Sequence, residues 1–502
     1  MHHIPRLPSR HPLYPTSCAS TLSRRALLEL TGCGFGMLAL AFLEQSAGGT
    51  ETVSGHTATA TPTFNLRQKN PHFAPQAKSV IMLTADGGPS QMDMLDPKPE
   101  LSKYNGTQHS MKLEALQPGS EAHTLLGSPF KFHRRGQSGL EMSQVIPHLG
   151  KLADDLCVVR SMYTGHNNHN EAVMMLATGH VFPGRPSIGS WISYGLGTEN
   201  ENLPAFVVLR DPTGYTASST SWWNSGWLPA LYRGTEISSQ GAPIQNLQSA
   251  HAQPAEAQRN NLEFLAAVNR SHQRKHPQDG ELETRIQNYE LAARMQLATG
   301  KLVDISTETA ATHKLYGLDN PETRPYGLRC LLAPKLIEAG VRFVQVLPRP
   351  YNPWDSHHNL ESGNRSLPVI CGQTDKPTAG LITDLKQRGL LGSTIVFWSG
   401  EFGRLPISQN GKGRDHNRNA MSVLLAGGGF KTGHAHGATD AIGYKAVKHP
   451  VSVADLHATI LHQLGLDHDQ VTYHHSGRDE TLTDSSVTDA KVVEQILTNS
   501  VG

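Results

Sequence analysis

The sequence predicts an α/β fold in which a sheet of buried, mostly parallel strands lies between helices. Short apolar runs alternate along the chain with patterns of helical period, which is typical of layered α/β proteins. The runs are rich in Val, Ile and Leu, and most lack polar–apolar alternation, as strands buried on both faces do. The strand candidates are Ser79–Thr84, Leu156–Arg160, Ala205–Leu209, Val341–Leu347, Thr394–Ser399 and Ser422–Ala426.

Three helices are predicted in the second half of the chain. The segment Glu281–Thr299 repeats apolar residues at helical spacing, and both it and Gly327–Ala339 are followed by a glycine that can end a helix. The segment Ser452–Leu464 opens with a Ser-x-x-Asp pattern, which is typical of a capped helix start. His457 and His462 fall outside its apolar face, so we expect both side chains to be solvated.

The length and charge of the chain limit its class. Its 502 residues suffice for one large α/β domain or two smaller ones. Lys and Arg total 44 against 43 for Asp and Glu, so no basic excess indicates a nucleic-acid partner. The 27 histidines are many, and several stand near acids, which is the composition that a metal site needs.

Residues 1–47 carry the pattern of an export signal. Arg24 and Arg25 precede a mostly apolar run, Ala26–Leu43, and small residues follow it. The paired arginines and the leucines behind them resemble a twin-arginine signal. We therefore expect export to the periplasm or the cell exterior, with a linker over residues 48–76.

The same segment suggests two kinds of membrane anchor, and neither is favoured. Leu30–Cys33 resembles a lipoprotein box, but most of the apolar run follows Cys33 instead of preceding it. As a membrane span the run is short, and it contains Glu29 and several glycines. No later segment is long and apolar enough to cross a bilayer, so we expect no span once the signal is removed.

The rest of the chain is predicted to form one domain over residues 77–485, followed by a tail or helix over residues 486–502. An irregular excursion at about residues 211–280 is rich in Trp, Gly, Ser, Gln and Asn. It contains three tryptophans, Trp222, Trp223 and Trp227. They either pack against the domain or line a sugar-binding surface, and packing is the favoured interpretation.

Acids, histidines and arginines follow three of the predicted strands. In open α/β sheets ligands bind outside the carboxyl ends of the strands, so these residues are candidates for one shared site. Each alone has a structural explanation, such as a turn or a helix cap, whereas the set together favours a site. The candidates are Asp86 and Ser90 after the first strand, Asp355 and His357 after Val341–Leu347, Glu401 and Arg404 after Thr394–Ser399, and Arg414 and His416 shortly beyond.

The candidate set has the donor chemistry of a divalent metal site. Carboxylates and imidazoles suit Zn²⁺, Mn²⁺ or Ca²⁺, and one or two such ions can assist a displacement at phosphorus or sulfur. Arg404 or Arg414 would then form a bidentate contact with an oxyanion, and Glu401 or a histidine would act as general base. His169 is a second-tier candidate, because it opens a helix-like run after Leu156–Arg160 and a helix cap explains it equally well.

Seven motifs occur in order over about residues 70–485. They are GGPSQMDMLDPKP, GRPSIGSWISYGLGTENENLPAFVVL, WDSHHN, GEFGRLP, GRDHN, AGGGFKTGHAHGATD and VADLHATILHQLGLD. Together they resemble the exported bacterial proteins grouped as domain-of-unknown-function family 1501, which looks like a branch of the alkaline phosphatase/sulfatase superfamily. The resemblance implies an α/β fold with a central mixed, mostly parallel sheet between helical layers and up to two metals at the strand ends.

The resemblance also implies roles for individual residues. The positions that match the superfamily's metal ligands hold Asp86, Asp355, His357, Glu401 and His416. Ser90 is the nearest hydroxyl that would act as nucleophile. One departure concerns the superfamily's Asp-His pair, which is here Glu401-Phe402, so that one imidazole ligand is missing.

These observations predict an exported, metal-dependent hydrolase of phosphate or sulfate esters, with an anionic ester or a sulfated or phosphorylated glycan as substrate. The formylglycine sulfatase pattern, Cys or Ser followed by x-Pro-x-Arg, is absent at Cys157, Cys330 and Cys371, so a formylglycine mechanism is not expected. The alternative, suggested by Phe402 and the tryptophan-containing excursion, is a catalytically degenerate protein that binds anionic polysaccharide at the cell surface. A metal-dependent isomerase or mutase is a third interpretation.

Overall fold

The computed structural model describes most of the chain beyond the predicted signal. The described parts are residues 64–110, 113–216, 219–238, 254–276, 280–302 and 304–499. The predicted export signal and the beginning of the predicted linker lie outside them, as do parts of the predicted excursion.

In the described residues, nine strands form one central sheet and eight others pair in twos beside it. The central strands are β1 (Ser79–Thr84), β4 (Leu156–Tyr163), β5 (Phe206–Arg210), β6 (Thr235–Ser238), β7 (Phe343–Val346), β8 (Thr394–Ser399), β11 (Met421–Ala426), β12 (His434–His436) and β15 (Val451–Ser452). The paired strands are β2 (Phe132–Arg135) with β3 (Leu140–Ser143), β9 (Gly403–Gln409) with β10 (Gly413–Asn417), β13 (Ala438–Thr439) with β14 (Ala446–Lys448), and β16 (Tyr473–His475) with β17 (Arg478–Glu480).

In the described chain, α-helices lie in four of the eight connections between successive central strands, and two more follow the last of these strands. They are α1 (Gln91–Met94), α2 (Pro99–Lys103), α3 (Pro147–Gly150), α4 (His169–Thr178), α5 (Ile188–Leu196), α6 (Ala255–Lys275), α7 (Gly280–Leu302), α8 (Ala310–Tyr316), α9 (Arg324–Glu338), α10 (Leu367–Gln387), α11 (Val453–Gln463) and α12 (Ser485–Thr488). Short 3₁₀ helices span Ala153–Asp155, Ser219–Trp222, Ala230–Tyr232, Leu391–Ser393 and Glu494–Ile496. Within the described ranges, no helix has both the length and the apolar character that crossing a bilayer requires.

The central sheet is mixed and mostly parallel. Its order is β12-β4-β11-β8-β1-β7-β5-β6, and β15 also pairs with β4. All neighbouring pairs are parallel except those of β11, which is antiparallel to both β4 and β8. The predicted fold class is therefore confirmed, and each of the six predicted strands contributes to this sheet.

Both faces of the sheet are covered by helices. Along β1, Ile81 and Leu83 belong to a core shared with α8, α9 and α10, whereas Val80 and Met82 belong to a second core shared with α4, α5 and α11. Burial on both faces removes the need for polar residues at alternate positions. This explains why the predicted strands show continuous apolar runs.

The three predicted helices are present as α7, α9 and α11. At the start of α11, Ser452 and Asp455 form the predicted capping box, in which each side chain accepts a hydrogen bond from the other residue's backbone amide. The expectation for His457 is wrong. Its side chain is fully buried, and Nε2 donates to the carbonyl of Leu176 at 2.9 Å, because α4 packs over that side of α11.

Segments at both ends of the predicted domain pack against it. In the last part of the predicted linker, the amides of His72 and Phe73 donate to the carbonyl of Gly465 at 2.8 and 3.2 Å. Near the C-terminus, Leu497 pairs with Phe430 in an isolated β-bridge. These contacts attach residues beyond both predicted boundaries to the helical layer that contains α11.

In the predicted excursion, the tryptophans take part in packing. Trp222 and Trp223 are 2% and 0% exposed and belong to the second core. Trp227 stacks on His475 with ring centroids 4.9 Å apart. Trp222 and Trp223 therefore pack in the core, as the favoured interpretation expects, and neither can line a sugar-binding surface.

Candidate metal centre

The carboxyl ends of four central strands bring candidate residues to one edge of the sheet. β1, β7 and β8 are parallel, and β4 has the same direction because it and β8 are both antiparallel to β11. Asp86, Asp355 and Glu401 follow β1, β7 and β8, and His169 follows β4 as the first residue of α4. His416 lies on β10, in the hairpin that comes after β8.

Four side chains form a compact group, the His/Asp cluster, made of His169, Asp355, His357 and His416. One ligand atom from each lies within 4.8 Å of all the others. The imidazole Nε2 atoms surround Oδ1 of Asp355 at 2.8 Å for His357, 3.3 Å for His416 and 3.4 Å for His169. The Nε2 atoms of His357 and His416 are 2.8 Å apart.

The other ring nitrogen of each histidine, Nδ1, faces a hydrogen-bond acceptor. The pairs are His169 with Oε1 of Glu401 at 2.6 Å, His357 with Oε1 of Gln409 at 2.5 Å, and His416 with the carbonyl of Asn167 at 2.7 Å. The Gln409 amide is oriented by its own Nε2, which donates to the carbonyl of Pro118 at 2.9 Å. Because each acceptor requires a donor, the hydrogen of each neutral imidazole lies on Nδ1, and Nε2 is left to take up a proton or a cation inside the cluster.

This arrangement fits a divalent cation. Three imidazole lone pairs and a carboxylate oxygen converge, and they repel one another unless a positive charge lies among them. Three nitrogen donors and one oxygen donor suit Zn²⁺ and related first-row ions, and an acceptor on the second nitrogen is the usual partner of a ligating histidine. Three of the predicted ligands, Asp355, His357 and His416, therefore meet in the structure.

His169 is the cluster member that was not among the predicted ligands, and it lies beside Phe402. The Phe402 ring packs against His169 and His416, with ring centroids 4.9 and 4.4 Å apart. Asn168 caps α4 by accepting a hydrogen bond from the amide of Asn170, which places His169 at the helix start. From the sequence, His169 ranked only as a second-tier candidate, because a histidine at a helix start has an ordinary explanation. The signal in the sequence that points to His169 as a ligand is its position after the predicted strand Leu156–Arg160.

The electrostatics of the His/Asp cluster favour an added positive charge. Burial raises the pKa of Asp355, but the Arg404 guanidinium and the hydrogen bonds of the three histidines outweigh it and hold that pKa well below its usual value. Burial lowers the pKa of His169, yet its contacts with Asp355 and Glu401 raise it to about 9, so without a metal its Nε2 carries a proton into the cluster. Burial and the positive charges nearby lower the pKa of His416 to about 4. The cluster thus stabilises one positive charge, either a proton or a metal ion.

Arg404 is fully buried beneath the cluster, and its guanidinium is occupied by protein acceptors. Nε donates to the carbonyl of Gly88 at 2.7 Å, Nη1 to that of Arg414 at 3.0 Å, and Nη2 to that of Gly87 and to Oδ1 of Asp355. To make the bidentate contact that the sequence predicted, an ester would have to displace these bonds. Arg404 instead holds the turn after β1 against Asp355.

Ser90, Asp93 and Arg414 form a second buried chain of contacts. The Ser90 hydroxyl donates to Oδ2 of Asp93 at 2.5 Å. Arg414 binds the same carboxylate with Nε at 2.7 Å and Nη2 at 3.2 Å, and neither side chain of this ion pair is exposed. The guanidinium predicted to bind an oxyanion is therefore paired with Asp93, and the predicted nucleophile is hydrogen-bonded to that carboxylate.

Asp86 and Glu401 lie beside the His/Asp cluster and outside it. Glu401 is fully buried and accepts the Gly87 amide with its two oxygens at 3.0 and 3.1 Å, in addition to its contact with His169. Neither oxygen of Asp86 has a hydrogen-bond partner among the described residues, although Thr216 lies nearby. Burial and the charge of Glu401 raise the pKa of Asp86 well above its usual value.

Comparisons with solved structures find remote similarities. A phosphonate monoester hydrolase from Silicibacter pomeroyi is 13% identical, with 71% of this chain and 72% of that chain covered and a TM-score of 0.33. The PsFucS1 sulfatase from Pseudoalteromonas sp. is 12% identical over 78% and 68% of the two chains, with a TM-score of 0.33. An alkaline phosphatase superfamily protein from Vibrio parahaemolyticus is 9% identical over 89% and 78%, with a TM-score of 0.34.

No curated protein matches the chain. A family model, described as protein of unknown function DUF1501, matches residues 77–497, which include every member of the His/Asp cluster. The chain belongs to this family, DUF1501.

Proposed function

We propose that the protein is an exported, metal-dependent hydrolase of phosphate or sulfate esters. The observation that carries the proposal is the convergence of three histidine Nε2 atoms on Asp355, with each Nδ1 held by an acceptor outside the cluster. An ion bound there supplies a Lewis acid that can polarise an ester oxygen and activate water. Its position at the carboxyl ends of the central strands supports a ligand-binding role.

The protein groups have separable roles in this proposal. Asp355 and the three histidines would hold the ion, while Glu401 and Gln409 orient the imidazoles of His169 and His357. Arg404 offsets the charge of Asp355 from the buried side. Glu401 is 0% exposed, and its carboxylate is used by Nδ1 of His169 and by the Gly87 amide, so it orients a ligand and does not reach the substrate as the general base that the sequence predicted. The chain thus presents ligands whose rings are held rigidly from outside the cluster.

Asp86 fits a second cation. It is a buried carboxylate without a hydrogen-bond partner in the described residues, and it stands beside the charge of Glu401. Burying an unpartnered carboxylate is costly unless a proton or cation neutralises it. We therefore assign Asp86, together with Glu401, as the residues that would hold the second of two ions.

The proposed hydrolase is not of the formylglycine type. Cys157, Cys330 and Cys371 are all buried, and none lies in the required sequence pattern. Burial raises the pKa of the Cys157 and Cys330 thiols to about 12 and that of Cys371 well above its usual value. Such thiols are inert packing groups.

Metal analysis combined with an ester assay tests the proposal. The purified protein, loaded with Zn²⁺ or Mn²⁺, is assayed on an aryl phosphate and an aryl sulfate beside Asp355→Ala and His416→Ala. We expect both variants to lose bound metal and turnover to fall by about 10³-fold, since several kcal/mol of charge stabilisation are lost. His474→Ala, which changes an exposed histidine, is the matched control. A wild-type protein without bound metal, or full turnover in both ligand variants, would refute the proposal.

One observation favours the alternative, a protein that binds anionic polysaccharide without hydrolysis. Both arginines predicted to contact the ester, Arg404 and Arg414, are occupied by internal acceptors. The two functions differ in their dependence on metal. Binding of a sulfated polysaccharide that persists after chelation, without turnover of either aryl ester, would select the binding function.

Export is the remaining part of the proposal, and it rests on the sequence of residues 1–47. A fusion of this segment to a reporter protein should be exported through the twin-arginine route. Replacing Arg24 and Arg25 with lysines should retain the reporter in the cytoplasm. Unchanged export of the double variant would exclude the twin-arginine route.

A further inference from the structure

Two guanidinium groups contact Asp355, one on each carboxylate oxygen. Arg404 binds Oδ1 at 2.5 Å from the buried side, and Arg365 approaches Oδ2 at 3.4 Å from the outer side. The Arg404 side chain is 0% exposed, whereas that of Arg365 is 45% exposed. Arg365 is therefore a cation that touches a member of the His/Asp cluster and is open to a ligand from solvent.

A strained turn holds Arg365 in this position. Tyr351 and Asn352 both have left-handed backbone conformations, with φ of 65° and 50°. The carbonyl of Tyr351 accepts a hydrogen bond from Nη2 of Arg365 at 2.9 Å. A left-handed conformation is unfavourable for tyrosine and is tolerated by asparagine, so Tyr351 carries the strain of this turn. Two of the five N–H donors of Arg365 are used by these contacts, so others remain for a ligand.

A second cation, Arg349, lies next to Arg365. It donates through Nη2 to the carbonyl of Asn364, the residue before Arg365, and its buried Nε has no partner among the described residues. Burial and the charge of Arg365 both lower the pKa of Arg349. Arg349 also lines a cavity of about 350 Å³, whose wall includes Glu322 and Gln373 as well. There is therefore space for a ligand beside Arg349.

Three acids lie near this pair, and each has another partner. Asp355 is shared between Arg365 and Arg404, and Asp211 is paired with Arg329 at 2.9 Å. Glu322, whose charge raises the pKa of Arg349, accepts a hydrogen bond from Nε2 of Gln373 at 3.0 Å. Two adjacent guanidinium groups with unused donors form a site for an oxyanion, because each can present a planar fork to it.

We propose that Arg365 and Arg349 bind the sulfate or phosphate group of the substrate at the outer side of Asp355. This inference deepens the proposed function and rests on it for the identity of the ligand. The sequence predicted that Arg404 or Arg414 would bind the anion, but both are occupied by internal contacts. Arg365 and Arg349 take that role instead. The shared chemistry is a tetrahedral oxyanion, and separate titrations with sulfate and phosphate distinguish its two sources.

Direct anion binding tests the assignment independently of turnover. Inorganic sulfate and inorganic phosphate are titrated by calorimetry, at constant ionic strength, into the metal-loaded wild type, Arg365→Gln and Arg349→Gln. We expect each variant to bind the preferred anion about 10-fold to 100-fold more weakly, as the loss of a charge-assisted hydrogen bond predicts, while metal content stays unchanged. Arg388→Gln is the matched control, because it removes the same charge from an arginine paired with Asp384 and Glu338.

The outcomes separate this inference from the proposed function. Arginine-dependent anion binding without ester turnover would retain the anion site and reject the hydrolase. Turnover with unchanged anion affinity in both variants would reject the anion site and retain the hydrolase. Loss of metal in Arg365→Gln would instead show that Arg365 only supports Asp355, and it would overturn the assignment. Wild-type protein that binds neither anion would overturn it as well.

Discussion

His357 and His416 place their Nε2 atoms 2.8 Å apart, while their Nδ1 atoms point away to Gln409 and to the carbonyl of Asn167. Two imidazole lone pairs at this separation repel each other unless a proton or a cation lies between them. Gln409 and the carbonyl of Asn167 hold the hydrogens on the two Nδ1 atoms. The two Nε2 atoms are therefore left to a cation. This relationship makes the metal content of the protein the first quantity to measure.

Metal should stabilise the wild-type fold through the His/Asp cluster. Zn²⁺ at about 1,000 times its Kd should add about 4 kcal/mol to the free energy of unfolding. Asp355→Asn should greatly reduce the difference in Tm between metal-loaded and chelated protein, because the only carboxylate of the cluster loses its charge. Calorimetric scans of both proteins with and without chelator check this. An equal metal-dependent shift in the two proteins would show that the ion binds elsewhere.

The acceptor on His357 should control metal affinity. Gln409→Ala removes the oxygen that holds Nδ1–H of His357, and we expect metal affinity to fall by about 10-fold to 100-fold. Gln409→Glu keeps an acceptor oxygen at that position and should retain most of the affinity. Competition with a chromogenic chelator measures both. Equal affinities in the wild type and the alanine variant would contradict the proposed orientation of the ring.

Asp86 should determine the number of bound ions. We expect two ions for each wild-type chain and one for Asp86→Asn, because the cluster does not include Asp86. The asparagine keeps the size of the side chain while removing its charge. Elemental analysis after gel filtration gives the stoichiometry. If the wild type and the variant bind the same number of ions, Asp86 is a protonated buried acid instead of a ligand.

Ser90→Ala should retain turnover within about 10-fold of the wild type, which would favour water as the nucleophile. The Ser90 hydroxyl is bonded to Asp93, and two hydrogen bonds from Arg414 make that carboxylate a poor base. Steady-state kinetics on an aryl ester provide the measurement. A loss of about 10³-fold or more with normal metal content would restore Ser90 as the nucleophile predicted from the sequence.

His457 should make stability depend on pH. Burial lowers its pKa to about 4 in the folded protein, below the usual value of 6.5. Stability is therefore full above pH 6.5 and is lost as the pH falls toward 4, because the unfolded chain takes up the proton first. Lowering the pH from 7 to 5 should therefore reduce the free energy of unfolding by about 2 kcal/mol through this residue.

Urea unfolding at the two pH values tests the role of His457. His457→Gln should reduce the loss of unfolding free energy by about 2 kcal/mol, since glutamine does not titrate. His474→Gln, at an exposed histidine, should leave the loss unchanged. If His457→Gln shows the same pH dependence as the wild type, the buried imidazole is not responsible.

The sheet was predictable because its strands carry their own signal. Burial on both faces requires continuous apolar runs, and all six predicted runs lie in the central sheet. The edge on which the site lies followed from the same reasoning, since parallel strands bring their carboxyl ends together. Asp355, His357 and His416 could be proposed on that basis alone.

The partners of these residues were not predictable, because they are far apart along the chain. His169 contacts Glu401 across 232 positions, and Arg414 contacts Asp93 across 321. A lone histidine at a helix start and a lone arginine after a strand look the same whether or not a partner exists. His457 shows the same limit, since its burial depends on α4, which comes much earlier in the chain.

The sequence by itself determined the α/β class, the strands of the sheet and the edge where the candidate ligands gather, since these depend on local apolar pattern and strand direction. Only the tertiary structure decided that His169 completes the His/Asp cluster, that Arg404 and Arg414 are occupied, and that Arg365 remains open. Those properties are set by burial and by pairing between distant segments. Packing alone decides whether a charged side chain is satisfied inside the protein or left for a ligand.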